Sequence, residues 1–217
     1  LFGFPARFPM LFPPTNFGVV EQDLFRGTIP NQINTPFLEK LNLHTIVLLE
    51  HPGDYEDIDP MLLAFLKDNC VELVRLREDD DSGAREMQLS GPKTSQPVSE
   101  DVVLRALREV VDATKYPILI TDIYGKHRTG TVVACLRKLQ RWNLTSIFEE
   151  YRRFAGHKRR PQNEQFIELF DIDQVHVPPR APAFLPSSSD SMAGESVADK
   201  NHNRNSSTLD TRTFLSK

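Results

Sequence analysis

Tyr116-Pro117-Ile118-Leu119-Ile120-Thr121-Asp122-Ile123-Tyr124-Gly125-Lys126-His127-Arg128-Thr129-Gly130 is the stretch on which the fold and the site of this chain turn. Its apolar first part has the unbroken hydrophobicity of a buried strand. A helical pattern, Val132 to Leu139, leads out of it. A strand, a glycine-containing loop and a helix in that order aim successive backbone N–H groups at one point. The helix N-terminus stands behind them, which suits an anion. Arg128 closes the loop, and its planar fork can hold two oxygens of a phosphate. Gly125 and Gly130 suit the backbone reversals of such a loop. Ile123 and Tyr124 contribute backbone N–H groups, Lys126 and His127 a basic rim, and Thr129 a hydroxyl for the residue at the head of the loop. The ordinary alternatives are a solvated Arg128, a structural His127 and a Thr129 that merely caps the helix.

Composition narrows the class. With 217 residues and 39% apolar content the chain can bury one good core. A net charge of −4 suggests neither a nucleic-acid coat nor a membrane-surface protein. No segment approaches the roughly 20 apolar residues that span a bilayer. Two cysteines, Cys70 and Cys135, lie in helical apolar patterns and read as buried small hydrophobes. Without a cysteine framework, a reducing, cytoplasmic setting is expected. The chain does not begin with Met, so its upstream context is open.

Three regions are expected: a Pro/Phe-rich arm (1–15), one domain (16–177), and a tail (178–217). The tail has a Pro-rich exit and then a Ser/Asn/Asp-rich, disordered composition. Within the domain, Gly18–Val20 and Leu24–Gly27 read as a hairpin around Gln22-Asp23. Helices are predicted from Pro36 to Leu43 with Thr35 as cap, from Pro60 to Asn69, after Ser99, from Thr129 to Trp142, up to Phe154 with a Ser146/Glu149 capping box, and from Asn163 to Phe170. His44–Leu49, Val71–Leu76 and Ile118–Ile120 read as strands, and Arg77 to Val98 as a long loop. The alternation gives an α/β domain, with a mainly parallel central sheet flanked by helices. The decisive loop then lies at the C-terminal end of a strand, where such sheets place their ligands.

Two charged clusters accompany the loop. Lys158 and Arg160, in a run with Arg152, Arg153, His157 and Arg159, are either a solvated helix end or a second phosphate contact. The acidic run Glu78 to Asp81 is either a solvated loop or a source of a general acid.

The residues Gly125-Lys126-His127-Arg128-Thr129-Gly130 carry a resemblance. They are similar to the loop His-Cys-x-x-Gly-Lys-His-Arg-Thr-Gly of the atypical dual-specificity phosphatases of plants and fungi. These are Cys-based members of the protein tyrosine phosphatase superfamily, some of them acting on inositol pyrophosphates. The likeness continues through residues 136–142 and 144–155, Lys158, Arg160 and residues 165–171. Upstream it includes residues 14–20, Leu24-Phe25-Arg26-Gly27 and Pro30, so that it covers about Pro14 to Val177. It implies a tyrosine phosphatase-like fold, phosphatase ancestry, no cofactor or metal, and an oxyanion-binding role for Arg128 and the loop backbone from Ile123. Thr121 and Asp122 stand where the family has His-Cys. The segment Ser90-Gly91-Pro92-Lys93 matches the family only loosely.

Asp122 changes the chemistry that the resemblance implies. The family reaction needs a thiolate, kept ionised by the loop, to attack phosphorus. A carboxylate is a far weaker nucleophile toward phosphorus, and no second Asp in this loop is placed as a metal ligand. It can also accept the loop N–H groups itself. Two negative groups about 4 Å apart repel by about 4 kcal/mol at an effective dielectric near 20. The expectation is therefore a pseudophosphatase that binds a protein partner, such as an active relative, or an inositol polyphosphate. The alternative is an active phosphatase on phosphotyrosine or inositol pyrophosphates that uses Asp122. A laboratory trap is a third reading, opposed by the paired change at Thr121.

Overall fold

Residues 10–50, 58–78, 98–157 and 159–186 are described by the computed structural model of the protein. The hairpin pairs β1 (Gly18–Glu21) with β2 (Leu24–Thr28). With β3 (Thr45–Leu49), β4 (Glu72–Leu76) and β5 (Ile118–Asp122) it forms one sheet in the order β1-β2-β5-β3-β4. Only β1 is antiparallel; β2, β5, β3 and β4 run parallel. Side chains alternate across a pleated strand, so the apolar runs of β3 and β5 feed two cores. Val47, Leu49, Ile118 and Ile120 pack with α3 (Glu100–Val110), α4 (His127–Leu139), α5 (Leu144–Ala155) and α6 (Pro161–Leu169). Ile46, Leu48 and Leu119 pack on the other face with α1 (Thr35–Leu41) and α2 (Pro60–Asp68). This is the expected α/β sheet covered on both faces.

Local chemistry moves several element ends. A 3-10 turn, Gln32–Asn34, precedes α1, so Thr35 lies inside the helix rather than capping it. Asn42 takes a left-handed conformation (φ 48°) and ends α1 before Leu43. Asn143, not Ser146, caps α5: its side chain accepts the Ser146 N–H at 2.9 Å. α4 begins at His127 rather than Thr129 and ends at Leu139. Cys70 follows α2 at φ 54° and is exposed, which corrects its reading as a buried hydrophobe, whereas Cys135 is buried. The chain also packs beyond Val177: Ala113 N donates to Arg180 O at 3.0 Å, and Leu185 is buried. The end of the N-terminal arm is ordered on the domain too, with Pro14 buried and Thr15 O accepting from Thr28 N at 2.9 Å. Residues 1–9, 51–57 and 187–217, and residues 79–97 of the long loop expected between Arg77 and Val98, lie outside the described residues.

One buried cation ties the helices to the hairpin. Arg137 on α4 donates to Glu150 on α5 (2.8 Å), to Val20 O (2.8 Å) and to Gln140 Oε1 (2.9 Å), and pairs with Glu21. Its guanidinium lies 4.2 Å from the Trp142 ring centroid. Removing it strands two carboxylates that are largely shielded from water. Arg137→Ala is expected to lower stability by about 3 kcal/mol, read as a fall in the urea midpoint at an unchanged m-value.

Candidate functional site

The loop hangs from the centre of the sheet. Thr121 and Asp122 are the last residues of β5, both buried, and pair in register with Gly27 and Thr28 of β2. Ile29 N extends the pairing by donating to Asp122 O at 2.8 Å. The chain then turns through residues 123–126 into α4. Gly125 is required there for two reasons. Its φ of +62° favours glycine, and a Cβ on it would stand 2.4 Å from the Gly27 carbonyl carbon and 2.6 Å from Thr28 N. Gly130 is helical, so its role is not the expected reversal. A Cβ there would come within 3.1 Å of the Tyr151 ring, so the small residue permits close packing of α4 on α5.

The side chain of Asp122 occupies the inside of the loop. Oδ1 accepts from the backbone N–H of Tyr124 at 2.7 Å and from that of Gly125, and Oδ2 from the N–H of Thr129 at 3.0 Å. A carboxylate thus sits where converging N–H groups and the α4 N-terminus favour an anion. Thr129 contributes its N–H; its hydroxyl oxygen is buried with no hydrogen-bond partner among the described residues.

Arg128 is buried, and its Nη2 donates to Glu78 Oε1 at 2.5 Å. Glu78 also accepts from Ser99 N at 3.3 Å, the N-cap of α3. The acidic run therefore reaches the site through Glu78, as a partner of Arg128; Asp79, Asp80 and Asp81 lie outside the described residues. Arg128 Nε is buried without a hydrogen-bond partner among the described residues.

The rim is less basic than its sequence. Lys126 and Ile123 are half-buried and Tyr124 is 67% exposed at the tip of the loop. His127 is buried, its Nδ1 3.0 Å from the Tyr151 hydroxyl, which also accepts from Asn163 Nδ2 at 2.9 Å. Burial pushes the Tyr151 phenol up to about 12, so it is a neutral partner here. Arg152 is engaged by Glu164 through two bonds of 2.9 and 2.7 Å. Arg160 is the N-cap residue of α6, and its charge acts on Tyr151. Lys158 lies outside the described residues.

Two residues behind the loop escaped the sequence reading as site residues. Asn16 Nδ2 donates to Gly125 O at 2.7 Å, and Arg26 Nη2 donates to the same oxygen at 3.2 Å. The available signal for Arg26 was a charge in the middle of a short apolar strand.

A strand, an arginine-closed anion loop and a helix at the C-terminal edge of a parallel sheet define the phosphatase class of the site. The profile of the tyrosine phosphatase family matches residues 11–187, and the chain belongs to that family. It is 48% identical over 163 residues to a Dictyostelium discoideum protein named "Probable tyrosine-protein phosphatase DG1060", covering 75% of this chain and 90% of that protein. It is 41% identical over 170 residues to inositol diphosphatase DSP1 of Oryza sativa subsp. japonica, covering 78% of this chain and 70% of that one. Among solved structures, the core catalytic domain of the PP-IP phosphatase SIW14 from S. cerevisiae, in complex with citrate, superposes with a TM-score of 0.64. That match has 36% identity and covers 76% of this chain and 91% of the other. The Cys-based phosphatase superfamily and its fold are thereby established for this chain.

Gly125→Ala should collapse the loop, through left-handed strain and the clash with β2. A loss of about 3 kcal/mol in denaturant-measured stability is expected, whereas Gly156→Ala, with open space around its Cβ, should cost only its positive-φ strain.

Proposed function

We propose that this protein is a pseudophosphatase, a phosphatase-fold module that acts by binding rather than turnover. The observation that carries the reading is the position of Asp122. Both of its carboxylate oxygens are engaged by loop N–H groups, Oδ1 by two and Oδ2 by one. A nucleophile must offer an unshared pair to phosphorus, and the family's covalent step needs a thiolate. Asp122 supplies no thiolate, and its carboxylate is a far weaker nucleophile toward phosphorus that these hydrogen bonds also stabilise and hold in place. It also places negative charge where a substrate phosphoryl group would lie, and Glu78 occupies the Arg128 guanidinium.

The binding partner is a protein surface or a polyphosphate. Support for the polyphosphate comes from Arg128 Nε and the Thr129 hydroxyl, both buried without hydrogen-bond partners among the described residues. Buried donors in that state are satisfied by an incoming acceptor. An inositol polyphosphate fits this chemistry, since one phosphate can meet Arg128 and its further phosphates suit additional cations, with Lys126 and Arg160 as candidates. The second reading, an active phosphatase on phosphotyrosine or inositol pyrophosphates, draws on the relatives, which carry phosphatase names.

Turnover separates the two readings. The purified chain is expected to hydrolyse a phosphotyrosine peptide and an inositol pyrophosphate no faster than its Arg128→Ala variant, and hydroxylamine is expected to trap no acyl-phosphate. Activity clearly above that control would establish the second reading. For binding, Asp122→Ala should empty the loop and raise affinity for inorganic phosphate at least about tenfold, or about 1.4 kcal/mol, in calorimetric titration. Unchanged affinity would show that Asp122 does not compete with phosphate.

A further inference from the structure

Arg26 is the least expected charge in the molecule. It lies in the middle of β2, paired in register with Ile120, and is 1% exposed. No carboxylate is hydrogen-bonded to it among the described residues: Nη2 donates to Gly125 O, while Nε and Nη1 are buried without hydrogen-bond partners. Its guanidinium lies 3.8 Å from the Phe154 ring centroid. A Cβ on Gly130 would come within 3.4 Å of Nη2, so the group reaches the first turn of α4 as well as the back of the loop. A buried cation left so poorly bonded is costly unless a negative charge elsewhere offsets it.

We propose that Arg26 is the counter-charge of position 122. It is a positioning residue that acts through the Gly125 carbonyl to keep the loop N–H groups turned inward and to favour an anion within them. The Gly125 peptide shows how. Its carbonyl oxygen is held outward by Asn16 and Arg26, while its N–H points inward to Asp122 Oδ1. Opposite faces of one glycine thus receive the cation and the anion. Burial pulls the Arg26 guanidinium down to about 10, with Glu150 and then Asp122 as the carboxylates opposing that loss, so it remains a cation at neutral pH. The other charges about it are Arg153 of α5 and Arg137 of α4. The titratable and charged side chains of the loop itself are Lys126, His127 and Arg128, and Arg128 is paired with Glu78. The proposal rests on reading position 122 as the anionic seat of the loop and does not depend on whether the protein turns over a substrate.

A cysteine at position 122 makes the effect measurable. In the full chain with Asp122→Cys and Cys70→Ser, the rate of alkylation of the residue-122 thiol by iodoacetamide is followed against pH, with mass spectrometry to identify the peptide. The midpoint is expected below that of an ordinary cysteine. Adding Arg26→Gln should raise it by about one pH unit, so that alkylation well below the midpoint slows about tenfold, and Arg26→Lys should recover part of the difference. Glu150→Gln, which removes the carboxylate that acts most strongly on Arg26, should move the midpoint the other way. A purely structural role for Arg26 would lower thermal stability without these opposite shifts. If folded Arg26→Gln leaves the midpoint in place, the proposal is overturned. If Arg26→Gln does not fold, Glu150→Gln decides: a midpoint that stays or rises overturns it. Measured turnover by the wild-type chain would sink the pseudophosphatase reading while leaving this result intact.

Discussion

Two stretches of backbone touch where β2 passes under the loop, and the site depends on that contact. Gly125 lies so close to Gly27 and Thr28 that no side chain fits between them. Everything else about the site follows from holding the loop that tightly to the sheet. The parallel register of β2 and β5 delivers Asp122 opposite Thr28. The left-handed turn at Gly125 then folds the following N–H groups back over the end of the strand. The backbone contact fixes the base of the loop, and the Asn16 and Arg26 side chains behind it and the Asp122 carboxylate within it complete its anchorage.

Within that frame the charges are arranged to cancel. The loop and helix terminus favour an anion, and Asp122 supplies one. Arg128 requires an acceptor, and Glu78 supplies it. Arg26 sits behind the loop with Asp122 on the other side of the Gly125 peptide. Among the described residues, the polar atoms left without hydrogen-bond partners about the loop are Nε of Arg128 and the Thr129 hydroxyl on α4, and Nε and Nη1 of Arg26 behind it.

Much of this was legible from local pattern. The run Ile118–Ile120 could only be a buried strand, and the glycine-bearing segment before a helix could only present N–H groups in one direction. Asp122 as an internal ligand followed from the chemistry of a carboxylate in such a place. The misses have physical causes. Ser146 and Thr35 looked like caps by residue type, but Asn143 and Asn34 were already placed there by turns that pattern does not reveal. Cys70 belonged to an apolar stretch, but the chain reverses at that residue and exposes it. The roles of Asn16 and Glu78 depend on partners 109 and 50 residues away, which no local window contains. The basic run before α6 looked free to bind, yet Glu164 engages Arg152 one helix later.

Thr121 limits what the head of the loop can hold. It lies on the central strand between Gly27 and Leu48, with no exposed surface. The imidazole that the related loops carry at this position is much larger than a threonine side chain. Overfilling a packed interior typically costs about 1–3 kcal/mol. Placing the histidine of the related loops at position 121 would therefore strain this interior, while a cysteine at position 122 alone would lack that neighbour. The interior around residue 121 thus makes positions 121 and 122 a coupled pair, to be exchanged together with their surroundings rather than one at a time.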